Sequence, residues 1–231
     1  CTYPRLREGR CVQFTSRRLS RAAAHSRGVI PRPRYRSDTT HGSNESHRGA
    51  DRWTCDPEQV SVNIAEHLRI RPMRRRHLAA VVRIEEVTNG HPWSRQLFAN
   101  ELLQPTSHHY LVAMVGPQVI GFGGLMQVAD EGHVTTMAVD PTFRRRAVGT
   151  RLLLELLHLG SAAGVVDATL EVRVSNQPAQ ALYRRFGFAP EGVRPRYYSS
   201  PTEDALILWA RGVEQPGYKR RLESIRAKLD P

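Results

Sequence analysis

The sequence predicts an α/β (α+β) chain in which helices flank one central, mixed but mostly antiparallel sheet, over roughly residues 68–212. Strand-like apolar runs are interleaved with segments of helical period in the order β-α-α-β-β-β-α-β-α-β-β. Turn signals such as Gly116-Pro117 and Asp140-Pro141 separate them. Near residue 68 the composition also changes, from an aperiodic Arg/Ser/Gly/Pro-rich stretch to a chain with regular apolar spacing.

Taken in order, LRIRP (68–72) reads as the first strand and HLAAVVRIEEV (77–87) as an amphipathic helix. Ser94, after Pro92-Trp93, is an N-cap candidate for a second helix through RQLFANELL. YLVAMV (110–115) and QVIGFGGLMQV (118–128) are strands joined by a hairpin signal, and HVTTMAV (133–139) is a further strand. A helix over about 146–162 buries Leu152, Leu153, Leu156 and Leu157 and turns Arg151, Glu155 and His158 outward. In the strand ATLEVRV (168–174), Ala168, Leu170, Val172 and Val174 share one face; Thr169, Glu171 and Arg173 share the other. The helix QPAQALYRRFG begins at about Asn176, with Ser175 or Asn176 as cap and Pro178 tolerated in its first turn. Phe186 and Phe188 belong to the core, and strands near 188–193 and 204–210 complete the sheet. In the tail, 213–231, Tyr218, Leu222, Ile225 and Leu229 recur at the spacing of a docking or capping helix.

A length of 231 residues suits one ordinary domain with extensions. Net charge is +12, and only Lys219 and Lys228 are lysines, so nearly all the positive charge is arginine. That balance fits a nucleic-acid partner, and it equally fits an arginine-rich codon bias. Cys1, Cys11 and Cys55 all precede residue 60 in no CxxC or Cys/His spacing. A structural zinc site is therefore not expected, and thiol chemistry is excluded from the rest of the chain. No apolar run approaches the roughly 18 residues of a membrane span, so no membrane is expected and the cytoplasm is the expected compartment. Residues 1–60 read as a disordered basic extension, or as upstream sequence before a misplaced start, because the chain opens on Cys1. Arg17-Arg18-Leu19-Ser20 superficially resembles a twin-arginine signal, but the AAAHSRGVI that follows is too short and polar for its apolar region. An organelle transit peptide is the other reading of that composition.

The segment DPTFRRRAVGTRLLLELL (140–157) lies between a buried strand and a helix. A helix N-terminus leaves backbone N–H groups unpaired and carries partial positive charge, so it accepts a phosphate readily. Arg144 to Gly149 fit the pattern Gln-or-Arg, x, x, Gly-or-Ala, x, Gly. That pattern is weak alone and much stronger between a strand and a helix of this kind. By charge alone, the three arginines could equally clasp nucleic acid.

With HPWSRQLF, MAVDPTFRRRAVG, LEVRVSNQPAQALYRRFGF and RPRYYSSPTEDALIL, residues 68–212 resemble the GCN5-related N-acetyltransferases. Within that family (the GNAT fold) they are similar to the RimI-like branch, which acetylates the N-terminal alanine of ribosomal protein S18. The resemblance implies acetyl-CoA as acetyl donor and no metal. It puts the pantetheine arm on the backbone of Met137, Ala138 and Val139. It gives the pyrophosphate to Arg145, Arg146, Ala147, Val148, Gly149 and Thr150, and sets Asn176 on the same ligand. Glu171 is implied as general base and Tyr183 as the acid that protonates the coenzyme A sulfur. The implied acceptor is a protein or peptide N-terminus, bordered by Pro92-Trp93-Ser94 and Tyr197-Tyr198. Ala147 and Arg145 depart from the family, which carries glycine there; alanine is expected to start the helix right-handed and without strain.

From the residues alone, Met137 and Val139 are strand packing, Glu171 is an exposed carboxylate paired with an arginine, and Tyr183 is a half-buried packing tyrosine. Asn176 and Tyr183 lie nearly two helical turns apart and point the same way. A free α-amino group, with a reference pKa near 8 against about 10.4 for lysine, asks less of a base, and a water relay suffices. His108, His109 and His133 have no ligand geometry and are given no role. Lysine side chains or a small amine are alternative acceptors. An arginine-rich nucleic-acid-binding module is the alternative from another class, although the basic–aromatic interleaving of a stacking platform is missing.

Overall fold

Each apolar run of the sequence becomes an element of one layered sheet. The structure, a computed structural model, describes residues 67–229; the expectations for residues 1–60, with Cys1, Cys11 and Cys55, lie outside the described residues. The strands are β1 (Leu68–Pro72), β2 (His108–Val115), β3 (Gln118–Val128), β4 (Glu131–Val139), β5 (Asp167–Arg173), β6 (Ala189–Ser199) and β7 (Thr202–Ala210). The helices are α1 (Leu78–Thr88), α2 (Arg95–Glu101), α3 (Val148–Ala162), α4 (Gln177–Arg185) and α5 (Pro216–Ala227). Strand order is β1-β2-β3-β4-β5-β7-β6. Neighbours run antiparallel except β4 and β5, which are parallel. This is the α/β (α+β) class read from the sequence.

The sheet buries both faces. One carries α1 and α2, with Val81, Ile84, Phe98 and Phe122 fully enclosed. Phe98 sets its ring edge-on to Phe122 at 5.5 Å, a favoured geometry for two aromatic quadrupoles. The opposite face carries α3, whose Leu152, Leu153, Leu156 and Leu157 are buried as the spacing predicts. Ser94 caps α2 by accepting from the Leu97 backbone N–H at 3.1 Å.

The tail helix changes the surface of α3. Leu222 and Ile225 of α5 enter the same core, with Tyr218 and Leu229 packed against it. Arg226 donates to Glu155 at 2.7 Å, and Arg151 donates to the Leu229 carbonyl at 2.7 Å. Arg151, Glu155 and His158, expected to face outward, are therefore half-buried. Spacing within α3 could not show that a helix some 70 residues later would lie over its polar flank.

Two further expectations change. Val174 falls past the end of β5 and is 40% exposed, because the chain turns there toward α4 instead of continuing the alternation. β6 extends well beyond residue 193, with register shifts near Gly192 and between Arg194 and Tyr198. As the outer strand it has a free edge, which tolerates Pro195 and a positive φ of 51° at Arg196. Among the described residues, no helix is long and apolar enough to cross a membrane.

Candidate active site

The site begins where two parallel strands part. β4 and β5 pair only at Glu131–Asp167, Gly132–Ala168 and His133–Thr169. Beyond His133, β5 stays on β7 while β4 stays on β3, with Met137 opposite Gly123, Ala138 opposite Phe122 and Val139 opposite Gly121. The β5-facing backbone groups of Met137, Ala138 and Val139 thus have no strand partner, and a buried backbone group needs one. A bulge helps to open the fork. Val134 pairs with Leu125 and Thr136 with Gly124, leaving Thr135 as the extra residue. It resets the side-chain alternation, so Val134 and Met137, three residues apart, pack on the same core cluster. The side chains of Met137 and Val139 are strand packing, as their residue types suggest, while their main chain lines the gap.

The open edge leads into the arginine loop. Asp140 starts it by accepting from the Thr142 hydroxyl at 2.7 Å and backbone N–H at 3.1 Å, and from Arg83 at 3.3 Å. Chiefly through Thr142, with Arg83 adding its charge, its carboxyl is held below the usual range. Arg144, Arg145 and Arg146 are exposed. α3 starts at Val148 and not at 146, because Arg145 and Ala147 both take left-handed backbone, with φ of 61° and 59°. This corrects the expectation that Ala147 begins the helix right-handed. The chain must reverse direction between the turn at Pro141–Phe143 and α3, and left-handed residues accomplish it. Ala147 has no side-chain oxygen to cap with, and the first helical bond runs from Arg151 N–H to Ala147 C=O. The N–H groups of Val148, Gly149 and Thr150 therefore have no partner within the helix, and they lie in a cationic setting.

On the other wall, Glu171 is a buried carboxylate, its side chain 7% exposed, and not the exposed one its spacing suggested. Its arginine partner is Arg194 of β6, at 3.2 Å from Oε1; Arg173 is engaged by Glu203 at 3.1 Å. His133, given no role from sequence, donates from Nε2 to Glu171 Oε2 at 2.6 Å. Burial pushes the Glu171 carboxyl up, but the His133 hydrogen bond and the Arg194 guanidinium outweigh it and leave it below its ordinary value. No motif could have found His133. The signal is the cross-strand register, legible only once β4 and β5 are known to be neighbours. Tyr198 donates from its hydroxyl to the Glu171 carbonyl at 3.3 Å, under the Arg173 guanidinium at 4.0 Å.

Tyr183 comes from α4, on the side of β5 opposite Glu171, with its ring 5.9 Å from Phe188. Burial, then the neighbouring Tyr198, raises its hydroxyl above the usual phenol range and keeps it protonated. No hydrogen bond or ring contact joins Tyr183 to Glu171 among the described residues. Asn176 resolves as the cap of α4: its Oδ1 accepts from the Ala179 N–H at 3.2 Å, which leaves its amide NH₂ as a donor. Trp93 packs on Phe98 at 5.4 Å and donates its backbone N–H to the buried Glu85 at 3.3 Å. Gly90 in the same loop lies against the Ser200 carbonyl with no room for a Cβ. The α1–α2 loop and the β6–β7 turn therefore meet, next to the perpendicular Tyr197–Tyr198 ring pair at the end of β6.

A fork of this kind, ending at an uncapped helix in a basic loop, leaves room for an extended phosphate-bearing ligand beside an ionised carboxylate. The class so defined is that of the N-acetyltransferases. Residues 78–188 match the acetyltransferase (GNAT) family. N-alpha-acetyltransferase RimI of Mycobacterium tuberculosis is 41% identical over 121 residues, which are 51% of this chain and 74% of that protein. The ribosomal protein bS18-alanine N-acetyltransferase of Salmonella typhimurium is 35% identical over 133 residues, 57% of this chain and 88% of that one. Among solved structures, the ribosomal-protein-S18-alanine N-acetyltransferase from Escherichia coli superposes with a TM-score of 0.58 at 31% identity, covering 62% of this chain and 93% of that one. The chain belongs to the GNAT acetyltransferase family.

Proposed function

We propose that this chain is an acetyl-CoA-dependent N-alpha-acetyltransferase whose acceptor is the N-terminal alanine of ribosomal protein S18. The observation that carries the reading is the unpaired β4 edge at Met137–Val139, continuous with the uncapped N-terminus of α3. The acceptor is suggested by the relatives that bear that name.

The backbone of Met137, Ala138 and Val139 pairs with the pantetheine amides as a further strand would. The N–H groups of Val148, Gly149 and Thr150 take the pyrophosphate, with Arg145 and Arg146 beside it, Ala147 shaping the loop and Asn176 adding its amide donor. Bound there, acetyl-CoA supplies an activated acyl group. Glu171 is the carboxylate of the base that deprotonates the acceptor ammonium. The neutral amine attacks the thioester carbonyl; the C–N bond forms, the C–S bond breaks, Tyr183 gives its proton to the departing thiolate, and the proton lost by the nitrogen restores the phenol. The meeting of the Pro92-Trp93-Ser94 loop with the Tyr197-Tyr198 segment narrows the entrance for one extended N-terminus. A ribosomal-protein acceptor puts the reaction in the cytoplasm.

Mass spectrometry after incubation of the full chain with acetyl-CoA and hexapeptides tests the reading. Alanine-started S18-type peptides should be acetylated on the α-amine, with kcat/KM about tenfold or more above serine- and methionine-started ones. Acetylation confined to internal lysines or to a small amine would overturn it.

A further inference from the structure

Resting on the acetyl-transfer reading above, the structure points to a base that is a pair and not a lone carboxylate. We infer that His133 takes the acceptor's proton on Nδ1 while Glu171 holds the ring in place from Nε2.

Both oxygens of Glu171 are engaged, Oε2 by His133 at 2.6 Å and Oε1 by Arg194 at 3.2 Å. Its side chain is 7% exposed, whereas that of His133 is 31% exposed. The ring is thus the part of the pair that the cleft can reach. His133 is also the last β4 residue paired with β5, so it stands at the fork itself. Because an ionised carboxylate can only accept, Nε2 carries the hydrogen, and the neutral ring presents Nδ1 as its acceptor. Nδ1 has no hydrogen-bond partner among the described residues.

Proton affinities favour the same division of labour. A carboxylate is a poor direct acceptor from an α-ammonium, and an imidazole is intrinsically the stronger base of the two partners. Contacts that hold Glu171 ionised make it a weaker base still and a better counter-charge for an imidazolium. Facing the ring are Glu171 of β5, Arg194 of β6 behind it, and, across Met126 of β3, the His108–Glu101 pair of β2 and α2. In the step itself an N–H bond of the ammonium breaks, an N–H bond at Nδ1 forms, and the proton passes from Nδ1 to bulk water. The amine's second proton leaves as the tetrahedral adduct collapses and returns through water to Tyr183, which has given its own proton to sulfur.

His133→Gln keeps a donor toward Glu171 and removes the titratable acceptor; His133→Asn is the second variant if the first folds poorly. With a working acceptor peptide, His133→Gln should lower kcat about 10²-fold with KM for acetyl-CoA within about twofold. The imidazole ionisation should vanish from the acid limb of kcat/KM against pH, and Glu171→Gln should add little on top. Unchanged kcat and pH profile in both His133 variants overturn the inference. A readout independent of substrate separates this from failure of the acetyl-transfer reading: long-range ¹H–¹⁵N spectra of the histidine-labelled full chain report the tautomer. The Nε2–H tautomer with a titrating Nδ1 supports the pair, whereas a neutral ring protonated on Nδ1 overturns it whatever the acceptor is.

Discussion

Arg145 and Ala147 flank Arg146 in the arginine loop, and both hold left-handed backbone, at φ of 61° and 59°. An L-residue pays about 1–2 kcal/mol for that conformation, and glycine pays almost none. The strain sits at the mouth of the proposed phosphate site. Ala147→Gly should therefore stabilise the fold by about 0.5–1 kcal/mol after glycine's extra chain entropy is subtracted, a rise of roughly 1–4 °C in Tm. Calorimetry checks this, and titration with acetyl-CoA should show equal or tighter binding.

Tyr183→Phe isolates a hydroxyl from a packing ring. The ring is buried against Phe188, so Tm should move by little. If the phenol supplies the proton to sulfur, kcat should fall by about 10–100-fold. A coenzyme A release assay measures it, and a variant with wild-type turnover would remove that role from Tyr183.

Glu85 and Glu171 should shift the pH dependence of stability in opposite directions. Burial raises the Glu85 carboxyl above its ordinary value of 4.5, so its contribution is complete below that value and is lost as pH rises through the folded value. Glu171 lies below its ordinary value of 4.5, so its contribution is complete above that value and is lost as pH falls through the lower folded value. Urea midpoints from pH 3.5 to 7.5 check both. Glu85→Gln should gain on wild type near neutrality and not in acid. Glu171→Gln should lose near neutrality and converge with wild type in acid.

Glu85→Ala makes a different point. It removes the acceptor for the Asn89 amide at 2.9 Å and the Trp93 N–H at 3.3 Å, leaving both donors near the core. The cost should be about 1–3 kcal/mol, where Gln costs nothing comparable. Because this carboxyl anchors the loop at the proposed entrance, KM for the acceptor peptide should rise more than kcat falls.

Leu222→Ala tests whether α5 is part of the domain. Leu222 is fully buried in the main core, so the change should cost about 2–5 kcal/mol. A surface change such as Glu223→Ala should stay within about 0.5 kcal/mol. Thermal melts of the two variants separate a docked helix from an appended tail.

The sequence by itself determined the elements, their order and the class of fold. Apolar alternation and helical spacing are local, and the caps at Ser94 and at Ser175 or Asn176 are local hydrogen bonds, so neither needs the rest of the chain. The same locality put Glu171 on the polar face of β5 and the arginines at a helix start. Tertiary structure decided what lay beyond that reach. The handedness at Ala147 follows from the path between a turn and α3, which side-chain type does not record. The bulge at Thr135 sets which side chains of HVTTMAV share a face, bringing Val134 and Met137 onto one core cluster. The cover that α5 lays over Arg151 and Glu155 comes from far along the chain. Above all, His133 meets Glu171 across 38 residues of sequence because β4 and β5 run parallel for three pairs and then part. A hydrogen bond between distant strands is set by register, and register is a property of the assembled sheet.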